Sequence, residues 1–465
     1  MLAAIFLLSG AACDAQRAKA PELYEKLCAE CHGANLEGAI APALLNNEWK
    51  YGKSDEEVYH SIAVGYPDSN MPGYADQLSE EETRGLVIYL REARARETRQ
   101  SRPRPELEDG ADFDSQHERF RARVLRDDLN VPWSITFLPD GDLLVTERDE
   151  GTLLRFSADG SDRSVIEGTP EINNRGQAGL LDVALDPEYA ENGWVYLSFV
   201  DPLPEDDERA ITSVVRGRIR EGRWADEEVI WRVPDEFYVP GAVHFGSRFT
   251  FDPEGRLYFT LGDRGRGQTA QNLSDPRGAV HRINRDGSIP EDNPFLDRGD
   301  AFKSLYSYGH RNPQGLDRHP GTDEIWLNEH GPRGGDELNL INKGANYGWP
   351  EVTFGMNYNG TPITAKTTGP GITDPVMHWT PSIAACGMSF LSGNKFPGWE
   401  NDLFLTSLKF GQLHRLRIGP DNEVVEEEVV LNNLKRARHV AAHPDGTLYL
   451  LLERPGRIVR LEPVD

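Results

Sequence analysis

Basic side chains are in short supply: 50 lysines and arginines stand against 76 aspartates and glutamates, a formal net charge of −26. Nucleic acid is excluded as a partner class, because its phosphates need a basic face. The excess suits neutral or cationic partners and favours solubility. Long apolar runs are missing too; none approaches the roughly 20 residues of a membrane-spanning helix, so the body of the chain is expected to be soluble. Cysteines number 4, and their placement excludes a disulfide framework: Cys28 and Cys31 stand two residues apart around a pair before His32, Cys13 ends a short apolar run, and Cys386 is alone. What is plentiful is glycine (45) and proline (31), which points to a turn-rich, mainly β fold. The 465 residues suit two or three domains.

Residues 1–13 read as an export signal, since Met1 to Ala12 is too short to cross a bilayer. Leu8-Ser9-Gly10-Ala11-Ala12-Cys13 resembles a bacterial lipoprotein signal, which implies acylation of Cys13 and a lipid anchor. An ordinary signal peptide is the other reading. The expected location is the periplasm, membrane-anchored if Cys13 carries lipid.

Residues 21–94 read as a small all-α domain. A short amphipathic helix, Glu22 to Cys28, runs into Cys28-Ala29-Glu30-Cys31-His32. One helical turn places two thiols to bond the two vinyl groups of a haem, and the next imidazole then points at the iron. The competing reading is a thioredoxin-like or zinc CxxC; no second CxxC follows. The sixth iron ligand is expected from Met71, in Ser69-Asn70-Met71-Pro72-Gly73-Tyr74, because a thioether favours Fe(II) and raises the potential. His60, in a helix-like stretch from Glu56 to Ala63, is its rival. A last helix begins at Ser79 as N-cap with Glu82 three residues on. The ending from Met71 to Leu90 resembles a class I cytochrome c, which implies haem c as a cofactor.

Residues 95–118 read as a linker at the end of an Arg- and Pro-rich run (Arg91, Arg94, Arg96, Arg99, Arg102, Arg104) that then turns acidic. Such a run is solvated and semi-rigid, or else a basic strap for the acidic segment before it.

From 119 to 465 a turn of Asp/Pro/Gly type, followed by an apolar-aromatic strand, recurs at Pro139, Asp186, Asp252, His319, Pro397 and His443. Six uneven repeats predict a six-bladed β-propeller with insertions. The fold class is therefore mainly β, preceded by a small all-α domain. Propellers serve many functions, so the fold alone names none.

Four motifs carry a resemblance: Gly176-Gln177-Ala178-Gly179-Leu180-Leu181, Gly309-His310-Arg311-Asn312-Pro313-Gln314-Gly315-Leu316, Glu329-His330-Gly331-Pro332 with Asp336-Glu337-Leu338-Asn339, and Gly344-Ala345-Asn346-Tyr347-Gly348-Trp349-Pro350. Together they resemble the PQQ-dependent soluble glucose and aldose sugar dehydrogenases over nearly all of residues 124–463. PQQ is an ortho-quinone with three carboxylates, so its pocket must supply several cations. The resemblance assigns PQQ binding to Gln177, Arg311, Asn312, Lys409, Arg436 and Arg438; Lys435-Arg436-Ala437-Arg438 also reads as a charged turn. It assigns Ca2+, a Lewis acid beside the quinone, to the backbone carbonyls of Gly331 and Pro332, and leaves Asp336 and Glu337 structural. It makes His244 the general base, a role for neutral imidazole. Glucose-specific relatives carry an Asp before this His; here the residue is Val243, so what orients His244 is open. His310 and His330 fall in motifs, His319 and His443 in turns, and Cys386 reads as a small buried thiol.

The expected reaction is oxidation of an aldose sugar at its anomeric carbon to the lactone. Electrons would pass to the fused haem and on to a respiratory acceptor, a cytochrome or quinone chain. A covalent one-electron carrier fits a dehydrogenase and has no use beside a hydrolase. The alternatives are a sorbosone- or polyol-type dehydrogenase, a Ca-dependent lactonase propeller, which needs carboxylates around its metal, and a non-enzymatic binding propeller.

Overall fold

A computed structural model describes residues 19–46, 49, 51–52, 54–101 and 107–464. The stretch read as an export signal, with Cys13, lies outside the described residues. The chain divides into two units.

The first unit holds the described residues up to Glu97, with Met356–Ile363. Its helices are α1 (Ala20–Leu27), α2 (Ala29–His32), α3 (Asp55–Ala63) and α4 (Glu80–Ser101). The capping box read from the sequence is present: Glu82 N donates to Ser79 Oγ at 3.2 Å, and Ser79 N donates to Glu82 Oε2 at 2.9 Å. Ser54 and Glu57 start α3 in the same way. Leu23, Tyr24, Val58, Ile62 and Leu86 form the core. Met356 packs on Ala20 and Ile88, and Ala20 N donates to Gly360 O at 3.0 Å. Helix α4 runs on to Ser101, and Ala111–Asp114 is a strand paired with 119–122, so the segment read as a linker begins in a helix and contains a strand. Its Arg, Glu and Ala are strong helix formers, which a reading based on charge alone overlooks.

The second unit is a six-bladed β-propeller. Blade 1 is Pro132–Phe137, Leu143–Glu147, Thr152–Phe156 and Arg163–Ile166. Blade 2 is Leu180–Leu185, Val195–Leu203, Asp206–Arg220 and Arg223–Trp231, blade 3 Phe249–Phe251, Leu257–Leu261, Ala279–Ile283 and Leu305–Tyr308. Blade 4 is Pro313–Arg318, Ile325–Glu329, Asp336–Leu340 and Met377–Trp379, blade 5 Ala385–Phe390, Leu403–Ser407, Gln412–Ile418 and Val424–Leu431. Blade 6 takes Ala437–Ala442, Leu448–Glu453 and Gly456–Pro463 from the end of the chain and Arg119–Leu129 from the start of the unit. That last pairing, with Ala122 opposite Leu461 and Val124 opposite Val459, closes the ring and leaves no open seam. All six turns seen in the sequence join the first and second strands of a blade.

Facing blades bury apolar side chains against each other: Leu144 and Leu153 against Leu180 and Leu197, Trp326 and Leu338 against Leu403 and Leu405, Leu143 and Val145 against Tyr449 and Leu451. Each such side chain contributes about 1.5–3 kcal/mol of transfer free energy. At the centre Arg248 is 2% exposed. Its guanidinium lies 3.7 Å over the Trp133 ring and donates to Gln314 O at 2.9 Å and Asp182 Oδ1 at 3.2 Å. One blade-3 side chain thus ties together the first strands of blades 1, 2 and 4.

Candidate active site

The ring encloses a cavity of about 620 Å³ that residues from all six blades or their lead-ins reach, among them Trp133, Leu181, Gly246, Gln314, Leu408 and Arg438. Of the residues expected to bind the cofactor, Gln177, Asn312, Lys409, Arg436 and Arg438 line it. Arg311 stands behind it, sending Nη1 to the carbonyls of His330 and Gly331, each at 2.9 Å.

Arg438 is 5% exposed, which sets aside the charged-turn reading for it; Arg436 is half-exposed. Both are braced by Glu453: Arg436 Nε donates to Oε2 at 2.7 Å and Arg438 Nε to Oε1 at 2.5 Å. Burial pushes the Glu453 carboxyl up, but the two guanidiniums outweigh it and hold it at about 2, so it stays ionised. Arg438 also donates to Gln314 Oε1 at 3.0 Å and reaches the buried Cys386 sulfur at 3.2 Å. No carboxylate stands among the described lining residues.

His244 sits in a left-handed turn, φ +55°, leading into blade 3. Its Nδ1–H donates to Asp263 Oδ1 at 2.6 Å, and the Asp263 side chain is 1% exposed. Trp349 Nε1 and Gly265 N donate to the same carboxylate at 2.8 and 2.7 Å. This tautomer leaves Nε2 of His244 as the acceptor a base needs. Burial holds the imidazole below its ordinary value, Asp263 pulls it up, and the Arg311 and Arg264 guanidiniums push it down, so it is neutral at neutral pH. Asp263 thereby answers what orients His244 in place of an acidic neighbour at 243. The turn is clamped by two residues assigned to cofactor binding: His244 N donates to Gln177 Oε1 at 2.9 Å, and Gly246 N to Asn312 Oδ1 at 3.3 Å.

Gly331 lies in a loop so tight that a Cβ there would sit 2.2 Å from Gly335 O. Asp336 holds this loop against blade 5, accepting from Gly331 N and Ala385 N, each at 2.9 Å, which is the structural part expected of it. His310, between Ser307 at 2.9 Å and Glu329 at 2.8 Å, sets the carboxylate that receives Arg311 N. His330 lines the cavity, and its Nε2 is buried with no partner among the described residues. A group with several anionic oxygens and ring carbonyls fits these residues: cations and no carboxylate stand among the described lining residues, and His330 offers an unused polar atom. His319 and His443 accept from backbone N–H groups in their own turns, as read.

In the helical unit α2 carries Cys31 and His32, with Cys28 at its N-cap, and both thiols are free. His32 Nδ1 donates to Pro42 O at 2.9 Å, which leaves Nε2 for iron. Tyr74 OH donates to Leu27 O at 2.9 Å, fastening the Met71 loop beside Cys28, while His60 is exposed on α3. These residues fit a covalently attached haem.

Residues 129–460 match the family model described as Glucose / Sorbosone dehydrogenase. The chain belongs to that family. Residues 15–90 match the model Cytochrome C oxidase, cbb3-type, subunit III, so this glucose/sorbosone dehydrogenase family member carries a cytochrome c domain in front of its propeller. It is 37% identical over 346 residues to the aldose sugar dehydrogenase of Escherichia coli K12, covering 73% of this chain and 92% of that protein. The apo crystal structure of the soluble E. coli aldose sugar dehydrogenase superposes with a TM-score of 0.70 at 36% identity, over 74% of this chain and all 100% of that one. The PQQ-bound aldose sugar dehydrogenase of Streptomyces coelicolor superposes with a TM-score of 0.61 at 28% identity, over 74% and 98%. The family makes the chain an oxidoreductase.

Sequence reasoning missed Asp263 and Glu453 in this family member and gave no role to Gln314 or Arg248. A signal existed for Asp263: it follows the strand Leu257–Leu261 and stands in Gly262-Asp263-Arg264-Gly265, a strand-end acid in a glycine loop. Glu453 and Arg248 lie in or beside ordinary strand text, and only the ring brings them to the centre.

Proposed function

We propose that the propeller oxidises an aldose sugar at its anomeric carbon to the lactone, with PQQ and Ca2+ in the cavity and the fused haem c as outlet to a respiratory acceptor. When bound, PQQ supplies an ortho-quinone that takes two electrons as hydride, and haem c a one-electron relay. The observation that carries this reading is His244, held neutral and oriented by Asp263 at 2.6 Å, directly before Phe245 and Gly246, which line a cavity rich in cations.

Nε2 of His244 accepts the proton of the sugar hydroxyl while the adjoining carbon loses hydride. Asp263 keeps Nδ1 protonated and stabilises the imidazolium that forms. Lys409, Arg436 and Arg438 hold carboxylates of the cofactor, with Gln177 and Asn312 linking its seat to the His244 turn. The carbonyls of Gly331 and Pro332 would hold Ca2+; Gly331 O also accepts from Arg311 Nη1 at 2.9 Å. Cys28 and Cys31 attach haem c; His32 and Met71 ligate its iron. The lactonase alternative lacks support, since no carboxylate lines the described cavity. We place the enzyme in the periplasm, with a lipid at Cys13.

The test is reconstitution of the full chain with PQQ and Ca2+, then a panel of aldoses, sorbosone and polyols, read by haem reduction and by product. Haem reduction and lactone formation with aldoses is the expected result. Reduction only by sorbosone or polyols would move the substrate class, and turnover without PQQ would overturn the reading.

A further inference from the structure

We propose that Arg264 is a positioning residue for His244: its buried guanidinium holds the main chain of the turn Gly241–Gly246 in the one shape that presents the imidazole. The proposal rests on the reading of His244 as the base.

The turn leaves the edge of blade 2 after Pro240 and enters blade 3 at Phe249, so its carbonyls have no strand partner. Backbone carbonyls outside a ladder take their partners from side chains, other main chain or water. The Gly241 carbonyl accepts from Arg264 Nη2 at 2.6 Å, that of Val243 from Arg264 Nη1, and that of Ala242 from Gln177 N at 2.9 Å. The two carbonyls flanking Ala242 thus depend on one side chain. The backbone needs this support at His244, whose φ is +55°, because a left-handed conformation at a residue with a Cβ persists only where the surroundings impose it; Gly241 and Gly246, at +112° and +66°, bend freely on either side. Arg264 itself is at φ +55°, directly after Asp263, so the residue that orients the ring and the residue that shapes the turn are neighbours.

The guanidinium is poorly replaceable. It is 3% exposed and lies 3.6 Å over the Phe245 ring, so the residue after His244 is gripped as well. A planar fork spans two acceptors at a fixed spacing and stacks flat on an aromatic face; an ammonium offers neither the fixed spacing nor the flat stack. Burial, and then Arg277, lower its proton affinity to about 9, so it remains charged at neutral pH. Its charge joins that of Arg311 against protonation of His244, with Asp263 acting the other way and His330 neutral nearby.

The test compares Arg264→Gln and Arg264→Lys with wild type in the full chain. In Arg264→Gln, kcat should fall roughly 10- to 100-fold, as for a displacement of about 1 Å at the chemistry. KM for sugar and Kd for PQQ should stay within about threefold. Loss of the charge should move the acid limb of the rate profile to higher pH. Arg264→Lys keeps the charge, so its limb should stay while kcat still falls. In the apo-protein, nitrogen NMR of labelled histidines should show His244 titrating at higher pH in Arg264→Gln. Wild-type kcat together with an unmoved titration in a folded, PQQ-binding Arg264→Gln protein overturns the proposal. If that variant does not fold, wild-type kcat in Arg264→Lys overturns it. Inactivity of the loaded wild-type enzyme would sink sugar oxidation alone, because the apo-protein titration still decides Arg264.

Discussion

The Nδ1–H of His244 meets Asp263 Oδ1 at 2.6 Å, across 19 residues of chain and the width of one strand pair. The carboxylate is fixed on its other oxygen by Trp349. Asp263→Asn keeps the volume but removes the charge and allows the wrong tautomer. Sugar oxidation should fall by about 10²–10⁴ while PQQ still binds. Steady-state rates and a PQQ titration of the apo-protein check this; an unchanged rate would reduce Asp263 to packing.

His244→Gln removes the base and leaves the cations. Sugar oxidation should fall by roughly 10²–10⁴, and haem reduction by sugar should fall in step, while a chemical donor still reduces the haem. Because burial holds His244 below its ordinary value, the wild-type rate should survive acidification through pH 6.5 and drop only at lower pH. If the variant turns over normally, His330 is the next candidate for the base.

Two cations should behave differently. Lys409→Ala should cost roughly 1–3 kcal/mol of PQQ affinity with the fold intact. Arg438→Ala should also destabilise the apo-protein, by roughly 3–5 kcal/mol, because Glu453 is left ionised and buried with Arg436 alone. Calorimetry of both apo variants and PQQ titration separate the effects. Equal melting temperatures would contradict the role of Glu453.

Met71→Ala should retain the haem, since Cys28 and Cys31 hold it covalently, and should lower its potential. The ferric spectrum should open to added ligands. A spectrum and potential equal to wild type would pass the sixth position to another side chain.

His281 is buried between Ser304 and Pro276, and burial lowers it to about 4 from the ordinary 6.5. Between those values the unfolded chain takes up a proton that the folded chain refuses, so stability falls as pH falls. The melting advantage of wild type over His281→Gln should therefore shrink from pH 7 to pH 5. A constant difference would mean His281 titrates normally.

Local chemistry was legible in the residues themselves. Cys28-Ala29-Glu30-Cys31-His32 announces a haem because one helical turn suffices to place two thiols for the vinyl groups and an imidazole for the iron. The Ser79–Glu82 box marks a helix start because both bonds close within one turn. Six Asp/Pro/Gly turns count the blades because each serves one hairpin. The cationic residues and the base came from the family resemblance, and of them only Arg311 lies in one of the four motifs that carry it. What tertiary structure alone decided is who stands beside them. Gln177 grips His244 from 67 residues away, Glu453 braces both terminal arginines, and Arg248 joins the blades at the centre. A propeller closes by bringing the lead-in of every blade to one axis. Contacts made there join residues that share no local pattern, so neither spacing nor periodicity carries their signal.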